Sequence, residues 1–389
     1  MINIQEKAQC NGCRVCGDIC PANAISFKAD ILDGFAYPVV DATRCVDCHL
    51  CEIKCAQAQE YLHVNRLEPE VYAAWSNDDE KRLLCTSGGM FWELAKWIVE
   101  NGGAVIACRY TDDYRGAYHD IATSLEDLIP LCGSKHVQSD TTGIFSRTKS
   151  ALNSFPYVLF VGSPCQVAAL YLFLGNEPEN LYTADFICNS INSPKAQAKY
   201  IDQLASDYGS KVVFSRAKDK RFGWNNFGSS ARFENGQEYY ASRDEDLRVV
   251  GYHKGHLFVR SSCYECKYKR IPRNADVTLA DFWGIKPDER NPKMEEGTSL
   301  VMINSQKGKD FFDKVSTHIG FYKKDFESAL AGNPAILKSA QASGRSEAAF
   351  AALATENFRT VVNKYYLKDS LITRIKKYVK KIIREGLNI

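Results

Sequence analysis

Cys10-Asn-Gly-Cys13-Arg-Val-Cys16-Gly-Asp-Ile-Cys20-Pro21 and Cys45-Val-Asp-Cys48-His-Leu-Cys51-Glu-Ile-Lys-Cys55-Ala56 share one spacing, C-x2-C-x2-C-x3-C. Each cysteine of the second run lies 35 residues after its counterpart, so the segment is an internal duplicate. Three thiolates in one tight loop can cap three irons of a cubane. The fourth cannot reach the same cluster, and in two-cluster ferredoxins it ligates the neighbouring one. The spacing therefore assigns one 4Fe–4S cluster to Cys10, Cys13, Cys16 and Cys55, and another to Cys45, Cys48, Cys51 and Cys20. A structural zinc site would instead separate two C-x2-C pairs by a longer loop. Between the runs, Ala24-Ile-Ser-Phe-Lys and Phe35-Ala-Tyr-Pro-Val alternate apolar with other residues around Asp33-Gly34, the pattern of a hairpin.

The rest of the chain bounds this reading. At 389 residues, two or three domains are expected. Hydrophobic residues at 45% and charged residues at 25% exclude a disordered or low-complexity chain. A net charge of +2 gives no global basic field, so nucleic acid is not an expected partner. The N-terminus lacks an apolar core with a cleavage site, and no run of 18 apolar residues exists. The expectation is a cytoplasmic chain whose 15 cysteines serve as ligands rather than disulfides. The fold expected is α+β multidomain. A dicluster ferredoxin-type module over 1–62 is followed by an α/β catalytic domain with a mixed sheet over 71–355. A basic amphipathic helix over 356–389 ends the chain. The first module carries five Lys/Arg against eight Asp/Glu, and Glu68-Pro69-Glu70 reads as its linker.

Seven cysteines remain, and four of them have informative surroundings. Cys165 opens an apolar helix after the strand Tyr157-Val-Leu-Phe-Val-Gly, where a helix N-terminus favours a thiolate. Cys188 ends the strand Leu181-Tyr-Thr-Ala-Asp-Phe-Ile, and Cys263-Tyr-Glu-Cys266 lies in a loop with Arg260, Lys267, Lys269, Arg270 and Arg273. Strand ends are where open α/β sheets build their sites. A third 4Fe–4S cluster on Cys165, Cys188, Cys263 and Cys266 is one reading. A zinc site on His253, His256, Cys263 and Cys266 is a second, and metal-free core thiols are a third.

Two polar stretches have the composition of cofactor loops. Thr86-Ser87-Gly88-Gly89 precedes a helix carrying Phe91, Leu94, Ala95 and Ile98. There Ser87 is either a plain N-cap or part of a pyrophosphate cradle. Gly133-Ser134-Lys135-His136-Val137-Gln138-Ser139 offers a cation to a flavin or a phosphate, or is a solvated turn. Clusters pass single electrons, whereas most organic substrates need two, so a flavin converter is expected from need. The aromatic loop Arg221-Phe-Gly-Trp-Asn-Asn-Phe either walls a substrate pocket or packs, with Asn225 and Asn226 facing a polar substrate in the first case. Residues 359–389 carry nine Lys/Arg against Asp369 and Glu385. Leu371, Ile375, Tyr378, Val379, Ile382 and Ile383 form one helical stripe. Such a helix packs on the catalytic domain, lies on the inner membrane face as a peripheral contact, or docks on an acidic partner.

Taken together, Thr86-Ser-Gly-Gly, Gly133-Ser-Lys-His-Val-Gln-Ser, Phe160-Val-Gly-Ser-Pro-Cys-Gln-Val-Ala-Ala-Leu, Asp185-Phe-Ile-Cys, Cys263-Tyr-Glu-Cys, Ala275-Asp-Val-Thr-Leu-Ala-Asp-Phe-Trp-Gly and Gly297-Thr-Ser-Leu-Val resemble, in order, the coenzyme F-420 hydrogenase/dehydrogenase beta-subunit family. The attached dicluster module resembles that family's bacterial branch. The resemblance implies FAD, a 4Fe–4S cluster beside the flavin, and flavin contacts at Thr86, Ser87, Gly88, Gly89, Ser134 and Lys135. Two departures matter: Cys188-Asn189-Ser190 stands where the family usually has Cys-His-Gly, and Ala280 replaces a usual Gly. The expected activity is that of an iron–sulfur flavoprotein oxidoreductase. It would pass electrons between clusters, FAD and a small organic substrate, with an electron-donor or acceptor protein as partner. The alternatives are an electron-transfer subunit with no substrate of its own, and a non-redox protein that keeps clusters for structure.

Overall fold

The duplication seen in the sequence is written into the backbone. Arg14 and His49, 35 residues apart, both enter the left-handed region, at φ of 61° and 58°. Each is followed by one helical turn, Val15–Asp18 and Leu50–Ile53. The computed structural model describes residues 1–59, 65 and 68–366, so the stripe expected over 371–383 lies outside the described residues. β1 (Ile25–Ala29) and β2 (Ala36–Val40) form the antiparallel hairpin between the two cysteine loops.

The larger body starts at β3 (Glu70–Ser76), which begins within the expected linker. It continues through β4 (Ala104–Tyr110), β5 (Ala117–Ala122), β6 (Ser139–Asp140), β7 (Val158–Gly162) and β8 (Leu181–Phe186). β9 (Val212–Asp219), β10 (Gly228–Phe233) and β11 (Glu238–Ser242) follow, then β12 (Val277–Asp281), β13 (Ser299–Ile303) and β14 (Ile319–Lys324). Nine strands make one mixed sheet in the order β14-β3-β13-β12-β8-β7-β4-β5-β6, as the expected α/β domain requires. β12, β8, β7 and β4 run parallel to their neighbours in that series, whereas β13, β3, β14 and β5 add antiparallel pairs.

Burial on both faces explains the near-continuous apolar runs of the central strands. Leu159 of β7 packs with helices Met90–Glu100 and Gln306–Val315, in a core with Leu94, Ile98 and Phe311. Its neighbours Val158 and Phe160 point the other way, to Phe145, Val167 and Leu170 of helices Ile144–Ser154 and Pro164–Leu174. β9, β10 and β11 form a smaller sheet beside helix Pro194–Tyr208. Helix Phe358–Tyr365 packs into this second core through Phe358, Val361 and Val362.

The cysteine module is built into this body. Phe35 of the hairpin tip is 1% exposed and joins the second core. Lys195 donates to the carbonyls of Ile31 and Leu32 at 2.8 and 3.0 Å. Asp18, in the first cysteine loop, accepts the N–H groups of Gly143, Phe145 and Ser146 at 2.7 to 3.1 Å. Helix Ile144–Ser154, whose N-cap Gly143 has no side chain, thus receives its capping carboxylate from the other module.

The end of β8 is pinned by a buried ion pair. Arg273 donates to Asp185 at 2.8 Å, with Thr278 on the other carboxylate oxygen at 2.6 Å. Arg273 and Asp185 are 4% and 1% exposed. Removing one partner strands the other charge, which costs about 3–5 kcal/mol. Arg273→Met should therefore lower the thermal unfolding midpoint of anaerobically purified protein by several degrees, and Arg273→Met with Asp185→Leu should recover part of the loss. Equal midpoints for wild type and the single variant would contradict this role.

Candidate functional site

The eight duplicated cysteines line two cavities, and the partition crosses between the loops. Cys10, Cys13, Cys16 and Cys55 line one cavity with Phe27 and Pro38. Cys20, Cys45, Cys48 and Cys51 line the other, with Ala24 and Val40. The fourth cysteine of each run thus stands beside the three of its twin. Cys13 feels Cys10, Cys16 and Cys55, and burial pushes its thiol up. Cys16 also feels Cys51, so the two sets are neighbours. Among the described residues, no three His, Cys, Asp or Glu side chains converge tightly enough to hold a single metal ion. Four thiols spread around a space suit a cubane, with its larger body, and sulfur donors suit its iron.

A second constellation forms at the strand ends. Cys165 lies in the first turn of helix Pro164–Leu174, whose capping box pairs Ser163 with Gln166. Ser163 Oγ and Cys165 Sγ are 3.1 Å apart. Cys165 feels Cys266 and Cys188, Cys188 feels Cys263 and Cys266, and Cys263 feels Cys165 and Cys266. All four cysteines named from the sequence are therefore brought together. Burial pushes the thiols of Cys165, Cys188 and Cys263 up to about 12. Burial outweighs the helix N-terminus at Cys165, so thiolates here call for bound positive charge. The two histidines are engaged elsewhere. The His253 ring stands 5.4 Å from that of His136, and His256 Nδ1 is 2.7 Å from the Gln341 carbonyl.

The cations around Cys263-Tyr-Glu-Cys266 are fasteners. Arg260 Nε donates to the Cys10 carbonyl at 2.7 Å and Nη1 to Gln138 Oε1 at 2.8 Å. Lys267 reaches the carbonyls of Gln57 and Gln59 at 2.6 and 2.5 Å. Lys269 donates to the carbonyls of Cys188 and Ala335. Tyr268 stands between two thiol sets. It is 5% exposed, its hydroxyl donates to the Ala56 carbonyl, and it feels Cys13 and Cys55 on one side and Cys165 and Cys266 on the other. Sequence reasoning missed Tyr268, although its place two residues after Cys266 was a signal.

The two polar loops also meet. Ser134 N–H donates to Thr86 Oγ1 at 2.7 Å, and the two hydroxyls are 3.0 Å apart. Ser87 does not cap the following helix, because Gly89, at φ +91°, is the N-cap. Ser87 Oγ instead donates to the Thr298 carbonyl at 2.8 Å. Gly88 is where the loop presses on the sheet. A Cβ there would lie 2.5 Å from the Ala74 carbonyl oxygen, and its own N–H is taken by Ser299 Oγ at 2.9 Å. Lys135 points inward: its ammonium donates to the carbonyls of Leu131, Cys132 and Gly133 at 2.8 to 2.9 Å. The side chain of this stretch left open is His136. Burial, then His253, Arg248 and Lys218, keep its imidazole neutral, and Nδ1 is buried without a hydrogen-bond partner. Its ring is 6.2 Å from that of Tyr252, which feels Cys188 and Cys263.

The aromatic loop is partly packing. Trp224 is 1% exposed, stacks on Trp283 at 4.9 Å and donates to Asp281 at 2.7 Å. Asn225 is tied to Glu295 at 3.2 Å. Asp276, Thr278 and Asp281 of the β12 segment bond to Thr183, Asp185 and Lys218 respectively, so the segment is a lattice of buried cross-links.

Residues 156–328 match the family model for the C terminus of the coenzyme F420 hydrogenase/dehydrogenase beta subunit. Residues 9–58 match that of a 4Fe-4S dicluster domain. The loops at Thr86 and Gly133 lie before the first of these stretches. Among solved structures, a chain of the F420-reducing [NiFe] hydrogenase complex from Methanosarcina barkeri is similar at 19% identity and a TM-score of 0.46. The likeness covers 69% of this chain and 90% of that one. No curated protein matches the chain.

The thiol groupings predict separable metal losses. With a cluster on the second constellation, the one reading that uses all four of its thiols, Cys263→Ser would lower iron and labile sulfide while leaving the signals of the two clusters in the duplicated runs. A double change of His253 and His256 to Ala should leave metal content unchanged. Zinc that is lost with the histidines would contradict the grouping.

Proposed function

Because the chain joins a 4Fe–4S dicluster domain to the C-terminal region of the coenzyme F420 hydrogenase/dehydrogenase beta-subunit family, an oxidoreductase family, we propose that it is an iron–sulfur flavoprotein that wires a surface electron partner to a flavin and a small organic substrate. The observation that carries this reading is the series of thiol sets. Cys20, Cys45, Cys48 and Cys51 come first, with Cys48 exposed. Cys10, Cys13, Cys16 and Cys55 follow, with Cys16 feeling Cys51. Cys165, Cys188, Cys263 and Cys266 are last, across Tyr268. Bound 4Fe–4S clusters would exchange single electrons along such a series.

The chain's own residues give that series direction. The surface near the first set exposes Val46 and Ile53, at 65% and 54%, beside the carboxylates of Asp47 and Glu52. This is where an electron-carrying protein would dock. Arg260, Lys267 and Tyr268 hold the middle and last sets against each other. Beyond the last set, Tyr252 leads to His136, whose free Nδ1 fits a polar ligand edge. The hydroxyls of Thr86 and Ser134 lie on the loop beside it. FAD bound there would convert single electrons into a hydride equivalent for the substrate. Lys135 supports that loop through the carbonyls of Leu131, Cys132 and Gly133.

The name of the matched family, a beta subunit, favours a second reading: an electron-transfer subunit that serves a partner enzyme without a substrate of its own. Turnover by the purified chain with an artificial electron donor separates the two readings.

Two outcomes are expected. Anaerobically purified protein should contain about twelve iron atoms and about as many labile sulfides per chain, with one released FAD. About eight irons would remove the third cluster. Lys135→Ala should lower flavin occupancy severalfold by releasing the loop, and Lys135→Arg should restore part of it. Full occupancy in Lys135→Ala would reject the loop as part of the flavin site.

A further inference from the structure

Arg260 carries a positive charge into the wall of one thiol set. It stands three residues before Cys263, yet its side chain reaches the first cysteine run. Nε donates to the Cys10 carbonyl at 2.7 Å, and Nη2 donates to the Ala36 carbonyl at 3.3 Å. Nη1 donates to Gln138 Oε1 at 2.8 Å. A Cβ on Gly12 would lie 2.8 Å from Nη1, so the guanidinium rests on the bare backbone of the loop between Cys10 and Cys13. Cys10, Gly12 and Ala36 all line the cavity of Cys13, Cys16 and Cys55. None of the three lines the cavity of Cys20, Cys45, Cys48 and Cys51.

The charge is buried and not cancelled. Arg260 is wholly buried, and its bonds go to neutral acceptors. The rings of Phe35 and Tyr37 cover it, with centroids at 5.0 and 4.6 Å. Asp33, the buried carboxylate of the hairpin, is engaged elsewhere. It takes Lys7 at 2.8 Å, the Tyr37 hydroxyl at 3.2 Å and the Phe35 N–H at 2.9 Å. Among the described residues, no carboxylate pairs with Arg260. A guanidinium does not shed its proton, so it stays charged. A buried cation is costly unless negative charge of similar burial faces it. A 4Fe–4S cluster on four thiolates carries such charge, and reduction adds to it.

On the cluster assignment proposed above, we propose that Arg260 raises the reduction potential of the middle set, Cys10, Cys13, Cys16 and Cys55, relative to the first set, Cys20, Cys45, Cys48 and Cys51. When one electron passes inward, an iron of the first set is oxidised and an iron of the middle set is reduced. No bond is made or broken. The added negative charge lies beside the guanidinium in a low-dielectric setting, where their attraction is strong. The first set has Cys48 exposed, so water screens charge there. Arg260 thereby biases the electron inward, away from the surface partner.

The test is a redox titration of full-length, anaerobically purified protein, followed by electron paramagnetic resonance. Iron and labile sulfide are measured on each sample. The step of the middle set is identified by comparison with Cys13→Ser, which removes one of its ligands. Arg260→Gln removes the charge, and Arg260→Lys keeps it. Gln138→Glu leaves Arg260 in place and puts a carboxylate against Nη1. The expected result is a lower midpoint for the middle set in Arg260→Gln and Gln138→Glu, with a near-normal one in Arg260→Lys. The first set should shift less in every variant. Where Arg260→Gln does not retain its iron, Gln138→Glu decides. An unmoved middle-set midpoint in iron-replete variants would overturn the role of Arg260 and leave the cluster assignment standing. Equal shifts in Arg260→Lys and Arg260→Gln would also overturn it, because lost fit and not lost charge would be the cause. Wild-type protein with no cluster on the middle set would overturn both.

Discussion

The guanidinium of Arg260 is the constraint on which the arrangement rests. It is wholly buried, and its Nε, Nη1 and Nη2 reach the Cys10 carbonyl, Gln138 and the Ala36 carbonyl at 2.7, 2.8 and 3.3 Å. It also lies over the rings of Phe35 and Tyr37, at 5.0 and 4.6 Å from their centroids. One side chain therefore fixes the first cysteine loop, the hairpin, the loop after Gly133 and the loop carrying Cys263. A buried guanidinium survives because its donors are used and its faces are covered by aromatic rings. Asp18 works in the opposite direction, capping a helix of the large body from the small module. The two modules thus supply each other's missing polar partners, and the relative placement of their thiol sets follows.

Much of this was legible in the sequence. The cysteine spacing contained the cross-partition of thiols, because a tight C-x2-C-x2-C loop leaves its fourth member facing its twin. The apolar runs of β7 and β8 marked buried parallel strands, and the positions of Cys165 and Cys188 followed from strand ends. The reading failed where a side chain reaches a partner far along the chain. Arg260 and Cys10 are 250 residues apart, and no periodicity links them. Ser87 had the composition of an N-cap, but the chain enters the helix one tight turn later, through Gly89. Lys135 had the charge of a phosphate ligand. Its ammonium also takes the carbonyls of Leu131, Cys132 and Gly133, a local demand that its charge alone did not reveal.

Burial sets the chemistry at the second constellation. A helix N-terminus favours a thiolate at Cys165, but desolvation at that depth is the stronger effect. The three sulfurs pushed up to about 12 are therefore poor thiolates by themselves and good ligands only for a bound cationic centre. The same low-dielectric setting makes the hydrogen bonds of Tyr252, Tyr268 and Arg273 effective fasteners.

Electron paramagnetic resonance of the anaerobic protein during stepwise reduction tests the central claim most directly. The proposed series of three clusters predicts a fully reduced spectrum that integrates to three spins per chain, broadened by magnetic interaction between neighbours. Two spins, or three sharp signals with no mutual broadening, would contradict a continuous series of clusters through this protein.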